Sequence, residues 1–194
     1  MPITLNGTTG VVTPGATIGS INGILKSSSG VVSQASVGTD YSQLTLATAQ
    51  TASGTAVDFT AIPSWVKRIT VMLNNVSTNG SSNIIIQIGS TTFLTSGYSG
   101  GASNQAGVIV SNSTGFGIVV STATPSDNNH GTAILGIFSG NTWSEYSNVV
   151  STAQGRAWYG AGTASLSGSL DRVRITTVNG TDTFDAGTIN ISYE

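Results

Sequence analysis

Between Ile62 and Val76 the chain reads Ile-Pro-Ser-Trp-Val-Lys-Arg-Ile-Thr-Val-Met-Leu-Asn-Asn-Val. From Val66 onward apolar side chains (Val66, Ile69, Val71, Leu73) alternate with polar ones (Lys67, Arg68, Thr70, Asn74), with one irregular step near Arg68. A period of two belongs to a strand with one face buried. Pro63, which has no N–H to give, marks its beginning. The stretch Leu170-Asp-Arg-Val-Arg-Ile-Thr-Thr-Val repeats the pattern, with Val173 and Ile175 on one side and Arg172 and Arg174 on the other. These two stretches carry four of the six Lys and Arg residues. We read them as core strands of one β-sandwich, with no catalytic chemistry on them.

The same reading places further short strands near residues 55–59, 83–88, 91–95, 107–110, 115–121, 132–138, 148–151, 163–166 and 188–193, separated by clusters of turn residues. Asn83-Ile-Ile-Ile-Gln-Ile and Thr132-Ala-Ile-Leu-Gly-Ile-Phe are apolar at nearly every position, which predicts strands covered on both faces. Asn79-Gly80 and Asn179-Gly180 suit turns that need positive φ. No stretch shows a helical apolar face. The spacing predicts an all-β, jelly-roll-like β-sandwich over residues 46–194.

Residues 1–45 differ. Leu5-Asn-Gly-Thr-Thr-Gly-Val-Val returns as Leu25-Lys-Ser-Ser-Ser-Gly-Val-Val, and two copies are too few for a solenoid. We take them as two short extended hooks of an N-terminal arm. Ile18, Ile21, Ile24 and Leu25 lie between or beside them, in surroundings too poor in apolar residues to bury them. Ordering each residue costs about 1–2 kcal/mol, so these side chains need a partner surface: the chain's own sandwich, two further arms in a trimer, or a larger assembly.

Composition narrows the function. Only 7% of residues are charged, the net charge is −2, and there are 25 glycines and no cysteine. Scattered basic residues give no footprint for nucleic acid. No run is long and apolar enough to insert in a membrane, and Met-Pro-Ile-Thr-Leu-Asn-Gly lacks the features of a secretory signal. Without cysteine, thiolate catalysis and cysteine-zinc sites are excluded. A nearly neutral hydroxyl- and amide-rich surface is expected to be partly covered in an assembly.

Candidate chemistry is sparse. The glycine-rich segment Ser96–Gln105 carries Tyr98 but lacks the phosphate-loop and dinucleotide spacings, so we read it as a surface loop. His130 lies in the turn cluster Asp127-Asn-Asn-His-Gly-Thr, with no sign of a nucleophile or orienting acid. Asp182 and Asp185 are read as turn carboxylates bonding backbone N–H groups rather than as a calcium site. Trp143, Tyr146, Trp158 and Tyr159 stand among polar turn residues. With Tyr98 they are candidates for surface recognition, since loop aromatics give large contact area with few rotatable bonds; packing over a sandwich rim explains them equally well. We expect no catalytic residue, no metal and no cofactor.

Gly23-Ile-Leu-Lys-Ser-Ser-Ser-Gly-Val-Val-Ser-Gln-Ala-Ser-Val-Gly-Thr-Asp-Tyr resembles a short motif recurrent in bacteriophage tail-fibre and other virion surface proteins. Ile24 stands where leucine is usual, and serines where glycine or asparagine is frequent. Residues 57–72 and 170–194 look like a C-terminal sandwich domain of phage structural proteins. The resemblance implies a homotrimer at the virion surface with a non-catalytic role. The expectation is a capsid decoration or head-fibre protein whose arm docks on other virion proteins, most simply the major capsid protein. The alternative is a short tail fibre or adhesin that binds host-surface glycan through loop aromatics.

Overall fold

The computed structural model describes residues 23–29, 31–120 and 123–194. The chain divides into two compact units, Met1–Gln43 and Leu44–Glu194. Ile18 and Ile21 lie outside the described residues.

In the first unit, β1 (Leu25–Ser28) and β2 (Val31–Gln34) form an antiparallel hairpin with Leu25 opposite Gln34 and Ser28 opposite Val31. The second hook is therefore a closed hairpin rather than an extended segment. Its base is shut by the Ala35 N–H donating to the Ile24 carbonyl at 2.7 Å. The segment that follows is wound around Asp40, which accepts from the Ser36 N–H at 2.8 Å and pairs with Lys26 Nζ at 2.8 Å. Lys26 first, then Ser36, holds the Asp40 carboxyl below its usual range. The lysine and the Gly-Thr-Asp-Tyr run, fourteen residues apart, are thus parts of one clasp. Ile24, Leu25, Val31 and Val32 are about half exposed or more on this hairpin.

The second unit contains β3 (Thr45–Leu46), β4 (Gln50–Thr51), β5 (Ala56–Thr60), β6 (Arg68–Thr78), β7 (Ile84–Ser90), β8 (Thr92–Phe93), β9 (Ser99–Asn104) and β10 (Ile109–Ser111). They are followed by β11 (Phe116–Val119), β12 (Asn129–Ser139), β13 (Thr142–Ser151), β14 (Arg156–Ser165), β15 (Arg172–Thr177) and β16 (Phe184–Tyr193). All pairings between these strands are antiparallel, and the described residues contain no helix. The larger sheet runs β10-β9-β14-β13-β12-β6-β16-β3, with β4 also on β16; the smaller runs β11-β7-β15-β5, with β8 on β7. β5, β7, β11 and β15 of the smaller sheet alternate along the chain with β6, β9, β12 and β16 of the larger, and the β12–β13–β14 meander is the longest run that stays within one sheet.

The two charged-then-alternating stretches build opposite walls of one core. Ile69 and Val71 of β6 and Val173 and Ile175 of β15 are fully buried in the same cluster. Six consecutive residues of β7, from Ile84 to Gly89, are buried, in keeping with a strand covered on both faces. β12 departs from that expectation. Ala133 and Leu135 are buried, but Ile134 is only half-buried and Phe138 is 76% exposed, because no strand of the second unit covers the outer face of the larger sheet.

Residues 99–104, expected as a loop, form a central strand of that sheet. β9 pairs with β14 on one side and β10 on the other. Its glycines belong there sterically. A Cβ on Gly100 would lie 2.4 Å from the Ala161 carbonyl oxygen, and one on Gly101 would lie 2.7 Å from that of Val110. Close backbone approach, rather than loop flexibility, accounts for these two residues.

Candidate recognition surface

β12, β13 and β14 are ten or eleven residues long, longer than their hydrophobic pattern predicts. Their register therefore decides which aromatics reach solvent. On β13, Trp143, Glu145, Ser147, Val149 and Ser151 point inward and Ser144, Tyr146, Asn148 and Val150 point outward. Tyr146 lies opposite Ala161, and Asn148 opposite Tyr159. The two tyrosines are therefore diagonal neighbours on adjacent strands, about 7–8 Å apart by sheet geometry. Tyr146 is 60% and Tyr159 52% exposed. Beside Tyr159 runs a shallow groove of about 300 Å3, floored by Gly101 and Ala161 and bounded across β9 by Ile109.

Three of the five aromatic candidates belong to the core instead. Trp143 and Trp158 are 2% and 0% exposed, and the Trp158 indole N–H donates to the Val120 carbonyl at 2.6 Å. Both face inward because strand pairing continues through the polar residues read as turns. Tyr98 is also buried. Its hydroxyl accepts from the Ile88 N–H at 2.9 Å and donates to the Leu94 carbonyl at 3.0 Å, and its ring meets Phe116 edge-on at 4.9 Å. Burial pushes its pKa up to about 12. Of the five aromatic candidates, Tyr146 and Tyr159 are the two at the surface. Ile24 and Leu25, the described members of the arm set, remain open to a partner.

The two sheets differ in charge on their outer faces. The outward positions of β15 and its neighbour β5 hold Arg174 in a bidentate pair with Asp58, at 2.7 Å for both bonds. Arg172 pairs with Asp171 at 2.7 and 3.2 Å. The Arg174 guanidinium lies 4.1 Å from the centre of the Phe93 ring, and that of Arg172 lies 5.6 Å from it. Arg172 holds the Asp171 carboxyl below its usual range, while Asp171 and Asp58 push Arg172 and Arg174 up. On the larger sheet the outward residues of β10, β9, β14, β13, β12, β6 and β16 are serine, threonine, asparagine, glycine, alanine and apolar side chains. Apart from His130, the ionisable groups among them are the two tyrosines, Asp185 near the start of β16 and, at the rim, Arg68 paired with Glu194 at 3.3 Å.

His130, Asp182 and Asp185 are each engaged separately. His130 Nδ1 accepts from the Asn75 N–H at 3.2 Å. Asp182 accepts from the Ser82 N–H at 2.9 Å and from Asn179 Nδ2 at 2.7 Å, which together hold its pKa low. Asp185 instead takes the Ser77 hydroxyl. Two carboxylates bound to different partners do not converge on one point, and the described residues contain no group of three or more His, Cys, Asp or Glu that could hold a metal ion.

Glu145 was not legible as a special residue in the sequence. It points into the core, 4% exposed, between Leu135 of β12 and Gly162 of β14. Desolvation raises its pKa from 4.5 to about 7. Ser147, two residues on, opposes the shift, although its hydroxyl and Glu145 Oε1 each lack a hydrogen-bond partner. The available signal was its spacing, in phase with Trp143 and Val149.

No protein-family model, curated protein or solved structure matches the chain.

Proposed function

We propose that this chain is a non-enzymatic structural protein of the bacteriophage virion surface, a homotrimeric capsid decoration or head-fibre protein whose first unit docks on the major capsid protein. The observation that carries the reading is the hairpin of that unit. It presents Ile24, Leu25, Val31 and Val32 to solvent while the Lys26–Asp40 clasp holds the residues of the virion-surface motif in one shape. A small rigid hairpin with exposed apolar side chains is built to be covered, because such residues gain about 25 cal/mol per Å2 on leaving water.

The strand order supports reading the sandwich as a jelly roll with an inserted hairpin. In that reading β5-β15-β7-β11 forms one four-stranded sheet, and β6-β12 and β9-β10 belong to the other. β13 and β14 are inserted between β12 and β9. A non-catalytic role agrees with the occupied state of the ionisable groups, since His130, Asp58, Asp171 and Asp182 are each held by a structural partner.

The test is attachment. Deleting residues 1–45 is expected to leave a folded β-protein by circular dichroism that no longer co-sediments with particles. Wild-type occupancy by the truncated protein would reject the first unit as the anchor. Occupancy comparable with the major capsid protein supports decoration, whereas a few copies at one vertex support the tail-fibre reading. The specific observation in favour of the latter is the Tyr146–Tyr159 pair on a face rich in hydroxyl and amide groups.

A further inference from the structure

We propose that the outer face of the larger sheet, centred on Tyr146, Tyr159 and Ala161, packs against the same face of a second copy of this chain. The contact is separate from any association of the arms.

Size is the first argument. The strands from β9 through β14, β13 and β12 to β6 are mostly ten or eleven residues long. With strands about 4.8 Å apart and about 3.4 Å per residue, they present on the order of 800 Å2. That is about what each partner contributes to a stable protein interface. An oligosaccharide lying along the tyrosines would cover only a strip of it.

Charge is the second. In a two-fold contact a charge near the axis meets its own kind and one farther out needs an opposite charge at the matching position, so a face uncharged around its centre avoids both costs. Around Tyr146, Tyr159 and Ala161 this face carries no charge: its charged groups, Asp185 and the Arg68–Glu194 pair, lie on β16 and at the rim, while the Arg172–Asp171 and Arg174–Asp58 pairs sit on the opposite sheet.

Shape is the third. In a two-fold contact every projection must find a recess elsewhere on the same surface. Tyr146 projects, and its cross-strand partner is Ala161, which floors the groove beside Gly101. A two-fold axis passing between Tyr146 and Ala161 would set each copy's tyrosine over the other's alanine. Sheets stacked face to face lie about 10 Å apart, a gap that interdigitated tyrosine, isoleucine and methionine side chains would fill. Ile109, Ile134 and Met72 lie on this same outward face.

The test uses the full chain. Ala161→Arg places bulk and charge in the recess, and Tyr146→Glu charges the projection; both positions are exposed, so the fold should survive. Light scattering is expected to show the mass of each variant falling to half that of wild type, with the circular dichroism spectrum unchanged. Because the chain has no cysteine, Ala161→Cys adds a single reporter thiol. A bismaleimide long enough to bridge sheets about 10 Å apart should link it to its copy and join chains in pairs, whereas Thr60→Cys on the opposite sheet should not be linked. The cross-link remains informative if either charged variant is unstable. The proposal is overturned by a monomeric wild type, by unchanged mass in both charged variants, or by Ala161→Cys failing to cross-link. It is also overturned if Tyr159→Ala abolishes binding to host-surface polysaccharide without changing the mass. None of these outcomes bears on particle attachment through the first unit, which the deletion of residues 1–45 reads separately.

Discussion

Raising the pH from below 4.5 to above 7 is expected to cost the wild-type protein on the order of 3 kcal/mol of stability, and Glu145→Gln is expected to abolish that loss. The carboxyl of Glu145 is buried between β12 and β14 with Oε1 unpartnered, and its pKa in the folded state stands at about 7 against an ordinary 4.5. The folded state therefore binds the proton more tightly than the unfolded chain does. Stability from this group is fully present below pH 4.5, declines as pH rises, and is gone once pH has passed about 7, at about 1.4 kcal/mol per pH unit between. Asp171 and Asp182 act in the opposite sense. Their lowered pKa values give stability that is present above about 3.8 and lost as pH falls below it, outside the Glu145 window. Urea titrations of wild type and Glu145→Gln at pH 4, 6 and 8 separate these contributions. A wild-type curve that stays flat from pH 4.5 to 8 would sink the idea.

Trp158→Ala is expected to destabilise the second unit by about 3–5 kcal/mol, the range for removing a large aromatic from a packed core. The side chain is fully buried among residues of both sheets. Its loss also strands the Val120 carbonyl, which accepts the indole N–H at 2.6 Å. Tyr159→Ala, one residue away but on the outer face, should fall within about 0.5 kcal/mol of wild type when both are compared at a concentration too low for chains to pair. The contrast between neighbours tests the register of β14 directly. If the tryptophan change were as mild as the tyrosine one, the inward placement of Trp158 would be wrong and a surface role would return.

The first unit shows how far a local motif can be read. Lys26 and the Gly-Thr-Asp-Tyr run stood out as a recurrent pattern, but their spacing did not say that the lysine and Asp40 meet. That ion pair requires the chain to turn between Ser28 and Val31, where Ser29 adopts a positive φ of 51°, and bring β2 back alongside β1. Serine in the first turn position is a weaker signal for a tight hairpin than asparagine or glycine.

What the amino-acid sequence determined by itself is the β character of the chain and the inward faces of its most apolar strands. Ile69, Val71, Val173 and Ile175 alternate with polar residues, and that alternation by itself assigns their side to the core. β7 is equally plain, because only a strand covered twice can carry Ile84, Ile85, Ile86 and Ile88 so closely. Tertiary structure alone decided the roles of β9, β13 and β14. Their outward residues mix Ser, Thr, Asn and Gly with Tyr146, Val150, Tyr159 and Ala161, and their inward ones include Glu145 and Ser147, so polarity differs little between the two faces and periodicity carries little signal. Pairing with β12 on one side and β10 on the other supplied the missing information. It sent Trp143, Trp158 and Glu145 into the core and left Tyr146 and Tyr159 on the surface, since shifting a strand's register by one residue exchanges its two faces.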